Sequence, residues 1–246
     1  MSKLTLKNKT CKMLQVFAPA KINLHLEVLG MRKDNFHEMA MVMQSISLYD
    51  ELQFSSRLDG IVNLSSDNSE LSTKEDNLII KAANLLKIAN KDISLGADIS
   101  LKKNIPIGAG LAGGSTDAAA TLVALNKLWG LNLSFPELLE ISSELGSDVP
   151  FCLNGGMQFC FGRGEVLEPI DINIPTMAVL LVKDPLASVS TPWAYRLFRE
   201  TNQYKYLTKE IEFENKRNSL RKADWINSYK NKNSMFLPPL HNDLQN

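Results

Sequence analysis

Residues Pro106–Ala120 read PIGAGLAGGSTDAAA, and the rest of the chain is organised around this stretch. Gly108, Gly110, Gly113 and Gly114 crowd into it, followed by Ser115, Thr116 and Asp117 and then by alanines. Glycine takes positive φ without strain and lets a ligand come close to the main chain. Ser, Thr and Asp are residues that cap helix N-termini. A loop of bare N–H groups feeding a helix suits an anion, because unpaired donors and the helix dipole both favour negative charge.

Both flanks agree with that reading. Ala97-Asp98-Ile99-Ser100-Leu101-Lys102 alternates apolar and polar residues, as a half-buried strand does. Ala118, Leu122, Leu125 and Trp129 recur at helical spacing, and Gly130 suits the position after the last turn. Strand, glycine loop and helix together predict a phosphate cradle. No Gly-Lys-Ser/Thr closes the loop, so it is not a Walker A motif, and no strand–acid pattern of a dinucleotide fold follows it.

The stretch resembles the ATP-binding motif of the GHMP kinases, close to P-x-x-x-G-L-G/A-G-G-S-S/T-D/N-A. Ala112 stands where glycine is common and requires a φ that a Cβ tolerates; Thr116 keeps the hydroxyl of the usual Ser. The resemblance implies that Pro106, Ile107, Gly108, Ala109, Gly110, Leu111, Ala112, Gly113, Gly114, Ser115 and Thr116 wrap the phosphates of ATP. It also implies that Ser115 or Thr116 reaches Mg²⁺.

The composition is that of an ordinary soluble globular chain. It is 44% apolar and 22% charged over 246 residues, enough for one large domain or two modest ones. Lys+Arg and Asp+Glu balance at 27 each, which gives no signal for nucleic acid or membrane. Cys11, Cys152 and Cys160 have neither zinc-site nor disulfide spacing, and the last two read as buried small hydrophobes. No apolar run is long enough to span a bilayer, and the lysine-rich N-terminus lacks the apolar core of a secretory signal. A soluble protein of a reducing compartment is expected.

Residues 1–13 are polar and basic and are expected to fray. Along Lys21–Val28, Ile22, Leu24, Leu26 and Val28 fall on one strand face and Lys21, Asn23, His25 and Glu27 on the other. Periodicity alone makes that second face a wet surface. A-P-A-K-I-N-L, however, resembles the opening motif of one GHMP branch, the 4-diphosphocytidyl-2-C-methyl-D-erythritol kinases, which implies that Lys21 and Asn23 line an active site. GMRKDNFH resembles the same branch's G-x-R-x-D-G-Y/F-H, implying that Phe36 stacks on a cytosine and His37 bonds its edge. Asn35 replaces the usual glycine and tolerates the left-handed region.

Ser45–Asp50 and Glu51–Ser56 read as strands around a short turn, and Gly60–Ser66 as another strand. A helix is predicted from Asp76–Asn77 to about Asn90. Asn77 is either its plain N-cap or, by resemblance, a nucleotide contact. A second helix carries Pro136 in its first turn, Leu138, Leu139, Ile141 and Leu145 on its apolar stripe, and Gly146 at its end. Asp148 is the one charged residue between Gly146 and Gln158, and apolar surroundings equip a carboxyl for proton transfer. It equally well caps a short helix with Pro150 in the first turn. G-S-D-V-P-F resembles the branch's motif for the catalytic base, which favours the first role for Asp148.

Met157–Ile170 reads as a strand pair around Gly162-Arg163-Gly164, and Met177–Lys183 as a buried strand. Ser190-Thr191-Pro192-Trp193 starts a helix with Thr191 as N-cap, and the branch's S-T-P-x-A-Y implies that Thr191 also lies near substrate. Glu200–Asn233 is a mixed-charge solvated surface. Trp225 and Phe236-Leu237-Pro238-Pro239-Leu240 are expected to dock on the second domain. The chain ends at HNDLQN, within a likeness of the branch's N-D-L-E, so the smaller domain is expected to be shortened and to leave Met177–Lys183 as an exposed edge.

The resemblance as a whole implies an α+β, two-domain GHMP kinase fold. Residues 1–165 would form an N-terminal α/β domain like ribosomal protein S5 domain 2, and residues 166–246 an incomplete C-terminal α+β domain. It implies an ATP- and Mg²⁺-dependent kinase of the bacterial cytosol or plastid stroma, monomeric or homodimeric. Its small-molecule substrate would be a cytidine diphosphate sugar-alcohol, phosphorylated at the 2-hydroxyl, with Asp148 as base and Lys21 beside it. Another GHMP small-molecule kinase, acting on homoserine, mevalonate or a sugar, and an inactive nucleotide-binding homologue remain open at this level.

Overall fold

The computed structural model describes residues 13–170, 177–184, 189–223 and 240–245. Its frame is two long antiparallel strands, β1 (Met13–Met31) and β2 (His37–Arg57), paired along nearly their whole length. Strand β3 (Val62–Ser66) runs parallel to β4 (Gly96–Lys102), and helix α1 (Leu78–Asn90) makes the crossover that parallel neighbours need. The C-terminal half of β2 pairs with β4 and its N-terminal half with β5 (Met157–Gly162), which turns back as β6 (Val166–Pro169). A short β7 (His241–Asn242) lies parallel to β1 on the far edge.

Helices α2 (Gly113–Trp129), α3 (Phe135–Leu145) and α4 (Val149–Asn154) join α1 over one face of the sheet. Ala118, Ala119, Ala120 and Ala124 of α2 are buried with Leu122 and Leu125, and these small residues bring the helix close to β1 and β2. Helix α6 (Glu210–Arg221) sets Phe213 and Leu220 against Leu29, Ala40, Val42 and Phe161. Met39, Met41 and Met43 point the other way, towards Phe151 of α4 and Phe198 of α5 (Thr191–Asn202). This end of β2 is therefore buried on both faces.

Several local readings hold. Pro136 lies in the first turn of α3, where the structure adds a Ser134–Glu137 capping box, Gly130 closes α2 in the left-handed region, and β5 and β6 form the expected hairpin. That hairpin spans residues 165 and 166, where the sequence places a domain boundary.

Other readings are corrected. Ser45–Ser56 contains no turn; it lies within the single strand β2, because β1 pairs without a break from Tyr49 to Ser55, across the expected turn, and again at Ser45. The two-faced pattern of Lys21–Val28 breaks between Asn23 and His25, where β1 carries an extra residue against β2. Leu24 consequently joins the α6 side while Leu26 and Val28 join the other. Another shift falls between Pro19 and Lys21, at the residue that lacks an N–H.

Met177–Lys183 is not a buried strand. It has no regular structure and is exposed, with Leu180 and Val182 each 87% accessible, because no described strand lies beside it. The N-cap of α5 is Ser190, whose hydroxyl accepts from the Trp193 N–H; Thr191 is the first helical residue. Cys160 is buried as expected and its thiol is pushed up to about 12 by burial, whereas Cys152 is only partly buried. Cys11, Trp225 and Phe236–Pro239 lie outside the described residues, and Leu240 is exposed.

Candidate active site

The turn from β4 into α2 is the glycine loop. Gly108 and Gly110 adopt φ of 66° and 71°, and a Cβ added at Gly110 would meet nothing within 4 Å, so that side of the loop is open. Ala112 also sits in the left-handed region, at φ 57°, which strains a residue with a Cβ. This corrects the expectation of a tolerant φ there. Ser115, Thr116 and Asp117 do not cap α2 either. The helix starts at Gly113, behind Ala112, with no side chain capping it, and its leading N–H groups stay available. The loop is tied to β1 by the Lys21 N–H, which donates to the Leu111 carbonyl at 3.2 Å just after the irregularity at Pro19.

The loop forms one wall of a cavity of about 970 Å³. Every loop residue from Pro106 to Ser115 lines it, and so do Lys21, Asn23, Phe36, His37, Asp148 and Thr191, which the sequence scatters over its length. Two expected residues are elsewhere. Thr116 is turned into the core and 1% exposed, which leaves Ser115 as the hydroxyl facing the cavity. Asn77 caps α1: its Oδ1 accepts from the Ile79 N–H at 2.8 Å and its Nδ2 donates to the Ser72 carbonyl, so its plain capping role is the one seen.

Lys21 is buried, donates to Asn23 Oδ1 at 3.3 Å and stands 3.4 Å from Asp148 Oδ2. Asp148 occupies the N-cap position of α4 but makes no side-chain cap bond, so its carboxylate turns to the cavity instead. Its side chain is 33% exposed, a wetter setting than the apolar neighbours in sequence suggest. A carboxylate held beside a lysine in the cavity that an open glycine loop also lines has the chemistry to take a proton from a hydroxyl placed there.

A buried ion cluster underlies the loop, and sequence reading missed it. Lys103 Nζ donates to Asp50 Oδ2 and, at 2.7 Å, to Asp117 Oδ2, while Asp50 Oδ1 accepts from the N–H groups of Asn104 and Ile105. A Cβ on Gly113 would lie 2.9 Å from Lys103 Nζ, so glycine there lets the ammonium sit directly under the start of α2. Burial pushes the Asp117 carboxyl up to about 7; Lys103 opposes that rise and Asp50 adds to it.

At the other end, the His37 ring stacks on Tyr195 at 5.2 Å, and its Nε2 lies 2.8 Å from the Tyr206 hydroxyl. Burial and the nearby Arg199 guanidinium hold the imidazole below its ordinary pKa. Phe36 is half exposed, and the Arg163 guanidinium lies 4.9 Å over its ring. Arg163, Tyr195, Arg196 and Arg199 line the cavity and were not anticipated. The signal was present for α5, where Thr191, Tyr195, Arg196 and Arg199 fall on one helical face.

Among the described residues no three His, Cys, Asp or Glu side chains gather to hold a metal ion, and no helix is long and apolar enough to cross a membrane.

Residues 77–156 match the model of the GHMP kinases N terminal domain. A 4-diphosphocytidyl-2-C-methyl-D-erythritol kinase of Prochlorococcus marinus is 61% identical over 94% of this chain and 72% of its own length. The enzyme of that name from Synechococcus sp. (strain CC9902) is 55% identical over 95% and 75%. A crystal structure of 4-(cytidine 5'-diphospho)-2C-methyl-D-erythritol kinase superposes with a TM-score of 0.68 at 29% identity, covering 94% of this chain and 75% of that one. A homoserine kinase from Cytophaga hutchinsonii, 19% identical with a TM-score of 0.56 over 82% of this chain and 67% of that one, shares the fold. Glycine loop, lysine–carboxylate pair and aromatic end thus sit on an α+β GHMP kinase fold, and the chain belongs to the 4-diphosphocytidyl-2-C-methyl-D-erythritol kinase family.

Proposed function

We propose that the chain transfers the γ-phosphoryl group of ATP to the 2-hydroxyl of 4-diphosphocytidyl-2-C-methyl-D-erythritol, a step in isoprenoid precursor synthesis. The observation that carries this reading is the shared cavity in which the glycine loop, the Lys21–Asp148 pair and the Phe36–His37 end face one another. The family's name supplies the substrate.

Phosphoryl transfer asks the protein chiefly for alignment and charge stabilisation. The open side of the loop and the uncapped start of α2 receive the phosphates, with the Lys103 ammonium beneath them. Asp148 takes the proton from the acceptor hydroxyl, a tertiary and therefore hindered nucleophile that needs close alignment. Lys21 stands beside that carboxylate and offsets charge on the transferred group. Phe36 stacks on the cytosine, His37 bonds its edge, and Thr191 and Asn23 line the path between.

The chain's donors fit a Mg²⁺ carried in by the nucleotide. Ser115 offers a hydroxyl beside the phosphates, and among the described residues no acidic cage surrounds it, as suits an ion that keeps water and phosphate oxygens as ligands. Bound there, the ion would neutralise phosphate charge. A cytoplasmic setting, with small molecules rather than nucleic acid as partners, completes the reading.

ADP release measured separately with the cytidine-containing acceptor, homoserine, mevalonate and a hexose tests it. ADP formation with the first alone is expected; equal or faster turnover of another acceptor would overturn the substrate assignment.

A further inference from the structure

Glu38 follows His37 at the start of β2 and is 3% exposed, so it is closed off from the cavity. A buried carboxylate needs partners, and Glu38 takes them from three separate segments. Arg32 Nη1 donates to its Oε2 at 2.8 Å; Arg217 Nη2, from α6, and the Gly162 N–H, at 3.2 Å, donate to Oε1.

The Arg32 and Gly162 segments bear directly on the aromatic end, and Arg217 holds the carboxylate that joins them. Arg32 also holds Asp34, whose Oδ1 accepts from the Phe36 N–H at 3.1 Å, and the Arg32 N–H donates to the Phe36 carbonyl. Asn35 stands at φ 65° in the same turn, a left-handed conformation that asparagine tolerates. Gly162 leads into Arg163, whose guanidinium lies over the Phe36 ring and is oriented by Glu165. Arg217 is itself anchored by Glu210 and Glu214 on α6. The Phe36 turn, the guanidinium above it and helix α6 thus meet at one carboxylate.

We propose that Glu38 is a positioning residue for recognition of the pyrimidine, acting through Phe36 by locking the Arg32–Phe36 turn and the Gly162–Arg163 corner into one register. This rests on the reading of the aromatic end as the base pocket in the proposed function. Charge-assisted bonds are the strong members of such networks, and the glutamine isostere keeps the volume while removing the charge.

Steady-state kinetics of Glu38→Gln, Phe36→Ala and the double variant test it. Glu38→Gln is expected to raise KM for the cytidine acceptor about tenfold, the size of one lost charge-assisted bond. The effect falls on KM rather than kcat, and KM for ATP stays within about twofold. In the Phe36→Ala background the same change adds little, because the ring it positions is gone. Three results overturn the proposal: an unchanged acceptor KM in Glu38→Gln, an equal rise for ATP, or a full tenfold increment on top of Phe36→Ala. An unchanged acceptor KM in Phe36→Ala would overturn the base-pocket reading and the proposal with it, whereas a rise there without one in Glu38→Gln defeats the proposal alone. If Glu38→Gln fails to fold, Arg217→Met cuts the α6 arm at a half-buried position and is held to the same outcomes.

Discussion

The Lys21 ammonium lies 3.4 Å from the Asp148 carboxylate and is 6% exposed, while Asp148 is 33% exposed and faces the cavity. The lysine is the fixed partner and the carboxylate the one within reach of a substrate. On the role proposed for Lys21, offsetting charge at the reacting centre, Lys21→Met is expected to lower kcat by roughly 10²–10³-fold with a smaller change in KM for ATP. Steady-state kinetics check this, and a loss confined to KM would contradict it.

Ala112 is held at φ 57°, where a Cβ costs about 1–2 kcal/mol and glycine pays only its chain entropy. Ala112→Gly is therefore expected to stabilise the fold by up to about 1 kcal/mol, a Tm increase of about 2–4 °C. Differential scanning calorimetry reads it. A lower Tm would mean that the loop is not strained there.

Asp117 has a folded-state pKa raised from 3.8 to about 7, first by burial. A raised pKa stabilises the fold below the unfolded value, and that contribution is lost as pH rises through about 7. Wild-type Tm should fall as pH rises from about 4 to about 7 and level off above that, and Asp117→Asn should flatten that slope while leaving Lys103 paired with Asp50. Parallel slopes in the two proteins would place the titration elsewhere.

His37 is held below its ordinary 6.5 by burial and by Arg199, so it remains neutral at pH 7. Acceptor KM should stay flat as pH falls from 8 through 6.5 and rise only below that, when the imidazole charges and meets Arg199. Acceptor KM measured against pH decides this. A rise centred above 6.5 would show that the His37 environment is not what burial implies.

The glycine loop was legible because everything it needs is local: glycines, an alternating strand before it and a helical stripe after it. Lys21, Asp148, Phe36 and His37 were legible only through motif resemblance, since alone Lys21 reads better as a surface residue, Phe36 and His37 as core packing and a surface histidine, and Asp148 equally well as a cap. The Asp50–Lys103–Asp117 cluster was not, because its acids lie 53 and 14 residues from the lysine and only pairing of β2 with β4 brings Asp50 near. An extra residue in β1 broke the period on which the Lys21–Val28 faces were assigned. Met177–Lys183 shows the converse limit: an apolar run states what a segment can bury, and what lies beside it decides whether it does.

Asp148 as the proton acceptor is the claim on which the account turns. Acceptor-dependent ADP formation should be measured for wild type and Asp148→Asn at saturating ATP and cytidine acceptor, with ATP affinity determined alongside. The account predicts a loss of turnover of roughly 10²–10⁴-fold with ATP binding nearly intact. Unchanged turnover, or a loss explained wholly by weaker ATP binding, would contradict it.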